Sequence, residues 1–298
     1  MSNFVITLVQ VSGAALSAED VLSKLKFFSE IAIGETRVLG PDALDVYGAG
    51  EDVDLHALQT KLVFAFGLAL DVCVQPVEGR RKRLLLCDMD STIIQQECID
   101  ELAEYAGIKD KIAAITERAM RGELDFEAAL TERVGLLKGL PVSKLQACYD
   151  ERIHLTPGAR TLVQTMKANG AMAQLVSGGF TFFTSRVAEA VGFDANFANV
   201  LLDTGTELTG EVQFPILGKQ AKLDRLNTTL SELGLTLEDA MTIGDGANDA
   251  AMIEAAGMGL GFNPHPVLAK AAKAVITGPS LETALYFQGY DKESWVTG

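Results

Sequence analysis

The rhythm of apolar and polar positions changes near residue 78. Residues 4–11 read as a strand, and residues 18–29 carry apolar side chains at helical spacing behind the possible caps Ser17 and Glu19. Strands near 31–39 and 43–48 flank the turn-forming Gly40-Pro41-Asp42, followed by a helix over 54–66 and a strand over 69–77. The order βαββαβ over residues 1–78 predicts an α+β, ferredoxin-like domain.

Beyond this point, apolar runs of strand length alternate with helical patterns. Strands are predicted at 84–88, 171–176, 241–244, 258–261 and 274–276, and helices over 158–169, 180–191, 221–233 and 248–256. Gly170, Gly192 and Gly234 stand where the first three helices must end. Apolar strands alternating with helices predict an α/β domain over 79–298, built on a doubly wound, mostly parallel sheet. Residues 95–155 have only helical patterns and read as an inserted helical cap. Residues 197–214 read as a β-hairpin around Asp203-Thr204-Gly205. The basic run Gly79-Arg80-Arg81-Lys82-Arg83 reads as a solvated linker or strand entrance, with an anion patch as the other reading.

Composition narrows the function classes. The chain has 298 residues, 48% of them hydrophobic, enough for a sizeable core. Its formal charge of -15 disfavours nucleic acid and anionic membranes as partners. The longest uncharged apolar stretch, 62–70, falls short of a membrane span. The start, MSNFVITLVQVSG, lacks a basic region ahead of its apolar run. Cys73, Cys87, Cys98 and Cys148 form no CxxC pair, so reduced thiols and a cytoplasmic location are expected. Leu285-Tyr286-Phe287-Gln288-Gly289 looks like part of a protease recognition site, but the residues after it read as native, and it is assigned to the protein.

The candidate chemistry sits at predicted strand ends. Asp88-Met89-Asp90-Ser91-Thr92 follows one apolar strand and Gly244-Asp245-Gly246-Ala247-Asn248-Asp249 follows another. A DxD pair alone is common in turns, but a second acidic tip on a parallel strand suits a site of hard oxygen ligands. Gly244 and Gly246 would permit close backbone approach and a positive φ. Ser177-Gly178-Gly179 stands at a third strand end just before a helix, where a hydroxyl and free N–H groups can bind phosphate. Lys222, near the start of a helix, could neutralise that phosphate. Cys87 adjoins carboxylates that would raise a thiol's pKa, so it reads as core, as does Met89. His56, His154 and His265 have no ligand-like spacing and are given no role.

These four ordered motifs resemble those of the haloacid dehalogenase superfamily. DMDSTIIQQECIDELAEYAG, FEAALTERVGLLKGLP and VSGGF are similar, within it, to the phosphoserine phosphatases. The match spans about residues 83–278. The resemblance implies an enzyme that hydrolyses O-phospho-L-serine to L-serine and phosphate through an aspartyl-phosphate, as the last step of serine biosynthesis. It implies Asp88 as nucleophile, Asp90 as general acid and base, and Mg²⁺ held by Asp88, the Asp90 carbonyl and Asp245, with Asp249 supporting. Glu97 and Arg133 would read the substrate's ammonium and carboxylate. Ser177, Gly178, Lys222 and Asn248 would help bind it, with Gly179 in support. The first 78 residues lie outside this match. Their topology resembles the ACT domain, which implies an amino-acid effector site or a homodimer contact. A packing module without a ligand is the other reading of the same pattern.

Overall fold

The computed structural model describes residues 2–12, 17–28, 31–120 and 123–297. Strand β1 (Ser2–Gln10), helix α1 (Ala18–Leu25), strands β2 (Ala32–Gly40) and β3 (Ala43–Gly50), helix α2 (Leu55–Phe66) and strand β4 (Leu70–Pro76) come first. They form an antiparallel sheet in the order β2-β3-β1-β4, that of the ferredoxin-like arrangement. Ser17 caps α1 by accepting from the Asp20 N–H, whereas Glu19 lies inside the first turn. Residue 29, the expected end of that helix, lies outside the described residues. Phe4, Ile6 and Leu8 of β1 pack with Val21, Leu25, Leu58 and Leu62, so one sheet face is covered by its own helices.

The other face meets the C-terminal part of the chain. Asp45 is fully buried and takes a two-pronged bond from Arg80 at 2.8 and 3.1 Å, with Thr7 donating to it at 2.7 Å. Arg80 and Lys82 are thus buried, which corrects the expectation of a solvated basic run, because each cation finds oxygen partners inside the protein. Asp71 receives the Thr277 N–H, the Thr277 hydroxyl and the Gly278 N–H. Tyr286 donates to Asp42 at 2.6 Å. The segment resembling a protease site is therefore core: helix α12 (Thr283–Phe287) is buried along its length, and Gln288 donates to the Ala284 carbonyl.

The remaining elements in order are β5 (Leu84–Cys87), α3 (Cys98–Tyr105), α4 (Lys109–Met120), α5 (Phe126–Gly135), α6 (Ser143–Arg152), α7 (Ala159–Ala168), β6 (Met172–Phe180), α8 (Thr181–Val191), β7 (Ala195–Asn199), β8 (Leu201–Asp203), β9 (Leu208–Val212), α9 (Lys219–Leu233), β10 (Ala240–Gly244), α10 (Ala250–Ala255), β11 (Met258–Phe262), α11 (Pro266–Ala271) and β12 (Ala274–Ile276). Six strands form a parallel sheet ordered β12-β11-β10-β5-β6-β7. Alternate residues of β5 face opposite cores. Leu85 and Cys87 join Leu162, Val163, Phe183 and Val187, while Leu84 and Leu86 join Leu226, Leu230, Met252 and Ile253. Both faces are thus covered by helices, which is why the strands read as unbroken apolar runs.

Two further expectations need correction. Residues 197–199 belong to β7, an edge strand of the main sheet; the hairpin is confined to β8 and β9. Ala195-Asn196-Phe197-Ala198-Asn199 lacks the apolar run of a buried strand because it is only half-buried over most of its length. The second concerns Ser177-Gly178-Gly179, which lies inside β6, with α8 beginning only at Thr181.

Helices α3–α6 stand above the sheet on two adjacent stems. Ile94 and Leu155 form an antiparallel bridge, and Thr156 donates its N–H to the Ile93 carbonyl. The β-hairpin also reaches this helical group: Gly139 donates to Leu208, Leu208 to Leu140, and Val142 to Thr206, each at 2.9 Å. No helix among the described residues is long and apolar enough to cross a membrane.

Candidate active site

The chain enters the sheet at β5 and extends from it in both directions, toward β6 and β7 and toward β10, β11 and β12. The switch point therefore lies between β5 and β10, where open α/β sheets bind ligands beyond the carboxyl ends of the strands. Asp88 leaves β5 there and Asp245 leaves β10.

Oxygens of Asp88, Asp245 and Asp249 all lie within 4.8 Å of one another. The Lys222 ammonium, 1% exposed, bonds Asp249 at 2.6 Å and Asp88 at 2.8 Å. Three carboxylates against one ammonium leave negative charge uncompensated in a pocket that solvates it poorly, and the donor set is oxygen only. A hard divalent cation fits these residues. Asp249 already uses both oxygens, one on Lys222 and one on the Gly246 N–H at 3.2 Å. That leaves Asp88 and Asp245 as the freer donors.

The charges show in the acidities. Burial, then Asp249, pushes Asp88 well above the usual carboxylate range, with Lys222 opposing. Burial, then Asp249, raises Asp245 to about 6. Burial opposes the charge on Lys222, yet Asp249 and Asp88 hold it above the ordinary lysine value. The Cys87 thiol is raised, by burial first and by Asp88 and Asp249 second, so it is a core residue and no nucleophile at neutral pH.

Asp90 stands on the irregular turn that follows Asp88, with Ser91 beyond it at φ 53°. Its carboxylate accepts from the Cys98 N–H at 2.8 Å and the Ser177 hydroxyl at 3.1 Å. Burial raises its pKa against both bonds. Ser177 in turn accepts from the Gly179 N–H at 2.8 Å. Asp90, Ser177 and Gly179 therefore form one connected group.

The glycines are required for space. Gly244 and Gly246 are not among the positive-φ residues, which corrects the expectation for both. A Cβ at Gly244 would lie 2.5 Å from Asp249, and one at Gly246 would strike Asn248. A Cβ at Gly179 would lie 2.8 Å from the Asp90 carboxylate, and one at Gly178 would lie 2.9 Å from the Phe126 ring.

Glu97 and Arg133 come from the helical group. Ser91 donates to Glu97 at 2.7 Å. The protein packed round Glu97, then the Asp90 charge, push its carboxyl up to about 8, although its outer side is open to solvent. Arg133 donates its Nε–H to the Ala129 carbonyl and makes no ion pair within 4 Å among the described residues. Burial lowers its pKa, with Asp100, Glu97 and Asp90 opposing.

Sequence reasoning passed over three contributors. Phe126 at the start of α5 reaches Gly178 and Gly218, seating the helical group against the sheet. Asn199 donates to the Gly178 carbonyl, and His265 donates its backbone N–H to the backbone carbonyl of Asp245. Only Phe126 lay within a motif, FEAALTERVGLLKGLP. The other two contacts are formed by chain return and left no local signal.

The haloacid dehalogenase-like hydrolase family matches residues 85–254. A phosphoserine phosphatase of Archaeoglobus fulgidus is 44% identical over 216 residues, 72% of this chain; the chain spans 62% of that relative's own length. A haloacid dehalogenase family hydrolase from Salmonella enterica serovar Typhi superposes with a TM-score of 0.82 at 28% identity, covering 96% of this chain and 98% of that one. The phospho-aspartyl intermediate analogue of a phosphoserine phosphatase superposes at 0.65 with 38% identity, covering 70% and 99%. With more than half of its residues matched, and with its acidic motifs converging at the switch point of the sheet, the chain belongs to the haloacid dehalogenase-like hydrolase family.

Proposed function

We propose that the protein is a magnesium-dependent phosphoserine phosphatase, hydrolysing O-phospho-L-serine to L-serine and phosphate through an aspartyl-phosphate. The observation that carries this is the meeting of Asp88, Lys222 and Asp245 beside the Asp90–Ser177–Gly179 group, under a helical lid that presents Glu97 and Arg133. The solved phospho-aspartyl analogue supports the same route. In this reading residues 79–298 carry the chemistry, with 95–155 as the cap, and residues 1–78 form an ACT-like accessory domain.

Asp88 attacks phosphorus, forming an acyl-phosphate bond as the bond to the serine oxygen breaks. Asp90 gives that oxygen its proton, since an alkoxide is a poor leaving group. It then takes a proton from the water that cleaves the acyl phosphate, releasing phosphate and restoring Asp88. The raised pKa of Asp90 helps it hold the first proton. Mg²⁺, when bound by Asp88, Asp245 and the Asp90 carbonyl, supplies positive charge that keeps Asp88 ionised and offsets the phosphoryl charge. Lys222 and Ser177 face the same charge as it spreads over the equatorial oxygens. Arg133 is free to grip a carboxylate with two parallel bonds, and Glu97 complements an ammonium. Asn248, which lies beside Gly246, would help bind the substrate.

Phosphate release from L-phosphoserine, with and without a chelator, tests the reading. Release is expected only with the divalent ion present and is expected to exceed that from phosphoethanolamine or phosphoglycerate. Equal rates on all three esters would refute the substrate assignment.

Glu97 adds a second test. Its folded-state pKa lies above the ordinary 4.5, so the free protein holds a proton there up to about pH 8. The folded chain then binds more protons than the unfolded one, and this group's contribution to stability falls as pH rises from about 4.5 toward 8. An ammonium ligand requires the ionised form, so phosphoserine binding at pH 7 is expected to release a proton. Calorimetry in buffers of different ionisation enthalpy measures this release, and Glu97→Gln should reduce it.

A further inference from the structure

We infer that Asn199 is a positioning residue for the phosphate-facing end of β6, acting through the Gly178–Gly179 peptide on Ser177 and Asp90. This rests on the proposed phosphatase reading and extends it to a residue that lies outside the pocket.

Asn199 is 3% exposed and ends the edge strand β7. Its Nδ2 donates to the Gly178 carbonyl at 2.8 Å. Its Oδ1 accepts from the Leu217 N–H at 2.7 Å, and Nδ2 also approaches the Leu217 carbonyl at 3.3 Å. Leu217 immediately precedes Gly218, the cap of α9, which carries Lys222. One buried amide therefore ties the end of β6 that carries Ser177 to the helix with the buried lysine.

The consequence follows from peptide geometry. A trans peptide is planar, and its C=O and N–H point in opposite directions. The carbonyl of Gly178 and the N–H of Gly179 belong to one such peptide. Holding the carbonyl outward on Asn199 aims the N–H inward, where it meets Ser177 Oγ at 2.8 Å. With Oγ accepting there, the Ser177 proton is directed elsewhere, and Asp90 lies 3.1 Å away. A continuous path runs from Asn199 through the peptide and Ser177 to Asp90.

This peptide needs such a clamp. Glycine is required on both sides of it, at 178 by Phe126 and at 179 by Asp90, so no side chain restrains its rotation. Turned over, it would place a carbonyl oxygen toward Ser177 and the incoming phosphate. A lone pair would then face negative charge where a donor is needed. Gly178 also lies beneath Phe126 of the helical lid, so the same peptide is held from both sides.

The test is Asn199→Leu, which keeps the approximate shape and removes all three bonds. Circular dichroism selects a temperature at which wild type and variant are both folded. Orthovanadate serves as the probe, with the ¹⁵N-resolved Gly179 amide as the reporter. In the wild type that amide is expected to shift as vanadate is added. In the variant its resting position is expected to move and its response to vanadate to be lost. Turnover of phosphoserine should fall about 10²-fold, mostly in kcat, as for groups held slightly out of place. Asn199→Asp at a pH where the new carboxylate is ionised keeps the acceptor for Leu217 but repels the Gly178 carbonyl, and it should fall as far as Asn199→Leu. If the Gly179 amide is unmoved in Asn199→Leu and kcat stays within twofold, Asn199 is only a packing residue. An Asn199→Asp enzyme with wild-type kcat would likewise refute the clamp, leaving only the Leu217 bond at work. A wild type that hydrolyses no phosphomonoester would defeat the phosphatase reading, while the amide readout would still decide the role of Asn199.

Discussion

Asp88→Asn is expected to lower phosphoserine turnover by about 10⁴-fold or more, as seen when a covalent nucleophile is removed and only binding and electrostatic groups remain. The amide oxygen is too weak a nucleophile to form the acyl phosphate, and neither Asp249 nor Cys87 is suited to replace it. Asp249 is held by Lys222 and Gly246, and Cys87 carries a thiol raised by burial and its acidic neighbours. The loss should not come from unfolding. Asp88 is destabilised by burial and by Asp249, so replacing it with a neutral isostere relieves repulsion in the cation-free protein. The variant should therefore keep or exceed the wild-type Tm without divalent ions. Single-turnover assays with acid quench would report a trapped acyl phosphate in the wild type and none in the variant. Turnover above one hundredth of wild type would remove Asp88 from the nucleophile's role.

Lys222→Met should produce the largest loss of stability. Lys222 is 1% exposed and bonds two carboxylates that are themselves 5% and 0% exposed. Breaking a buried ion pair by deleting one member costs about 3–5 kcal/mol, because the remaining charges are left uncompensated. For a chain of this size that corresponds to a Tm lower by roughly 10 °C. The sign of the pH dependence follows. Without the ammonium, Asp88 is raised still further above its unfolded value. Its cost then grows as pH rises beyond the ordinary carboxylate range and is relieved as pH falls. Denaturation in chelator should show a difference from wild type that widens as pH rises past the wild-type pKa of Asp88 and is smallest in acid. Activity should drop by about 10²–10³-fold, the scale of a lost electrostatic donor at a developing anion. A variant as stable as wild type in chelator would show that the Lys222 pairs do not hold the site together.

How much of this was legible in the residue order varied with how local the cause was. The acidic tips of β5 and β10 could be read as converging because apolar runs of four or five residues identify buried parallel strands, and parallel strands end on the same side of a sheet. The βαββαβ order of the first sheet was legible for a similar reason, since helical and strand periods alternate there with turn residues between them. β7 was misread because an edge strand only half-buried has no apolar run to identify it. For the glycines at 244 and 246 the expected close approach holds and the expected positive φ does not. Their neighbours Asp249 and Asn248 occupy the space a side chain would need, and neither residue has a positive φ.

By itself, then, the sequence determined which groups are available: two carboxylate tips, a hydroxyl between apolar strand and glycines, a lysine on a helix and a helical insert with opposite charges. Tertiary structure alone decided their relations. It placed Lys222 between Asp88 and Asp249, brought Phe126 down onto Gly178, and set the Asn199 amide behind the Gly178 carbonyl. These contacts join residues far apart in the chain, so no local period or spacing encodes them. They exist because burial leaves each polar group only a partner supplied by another segment.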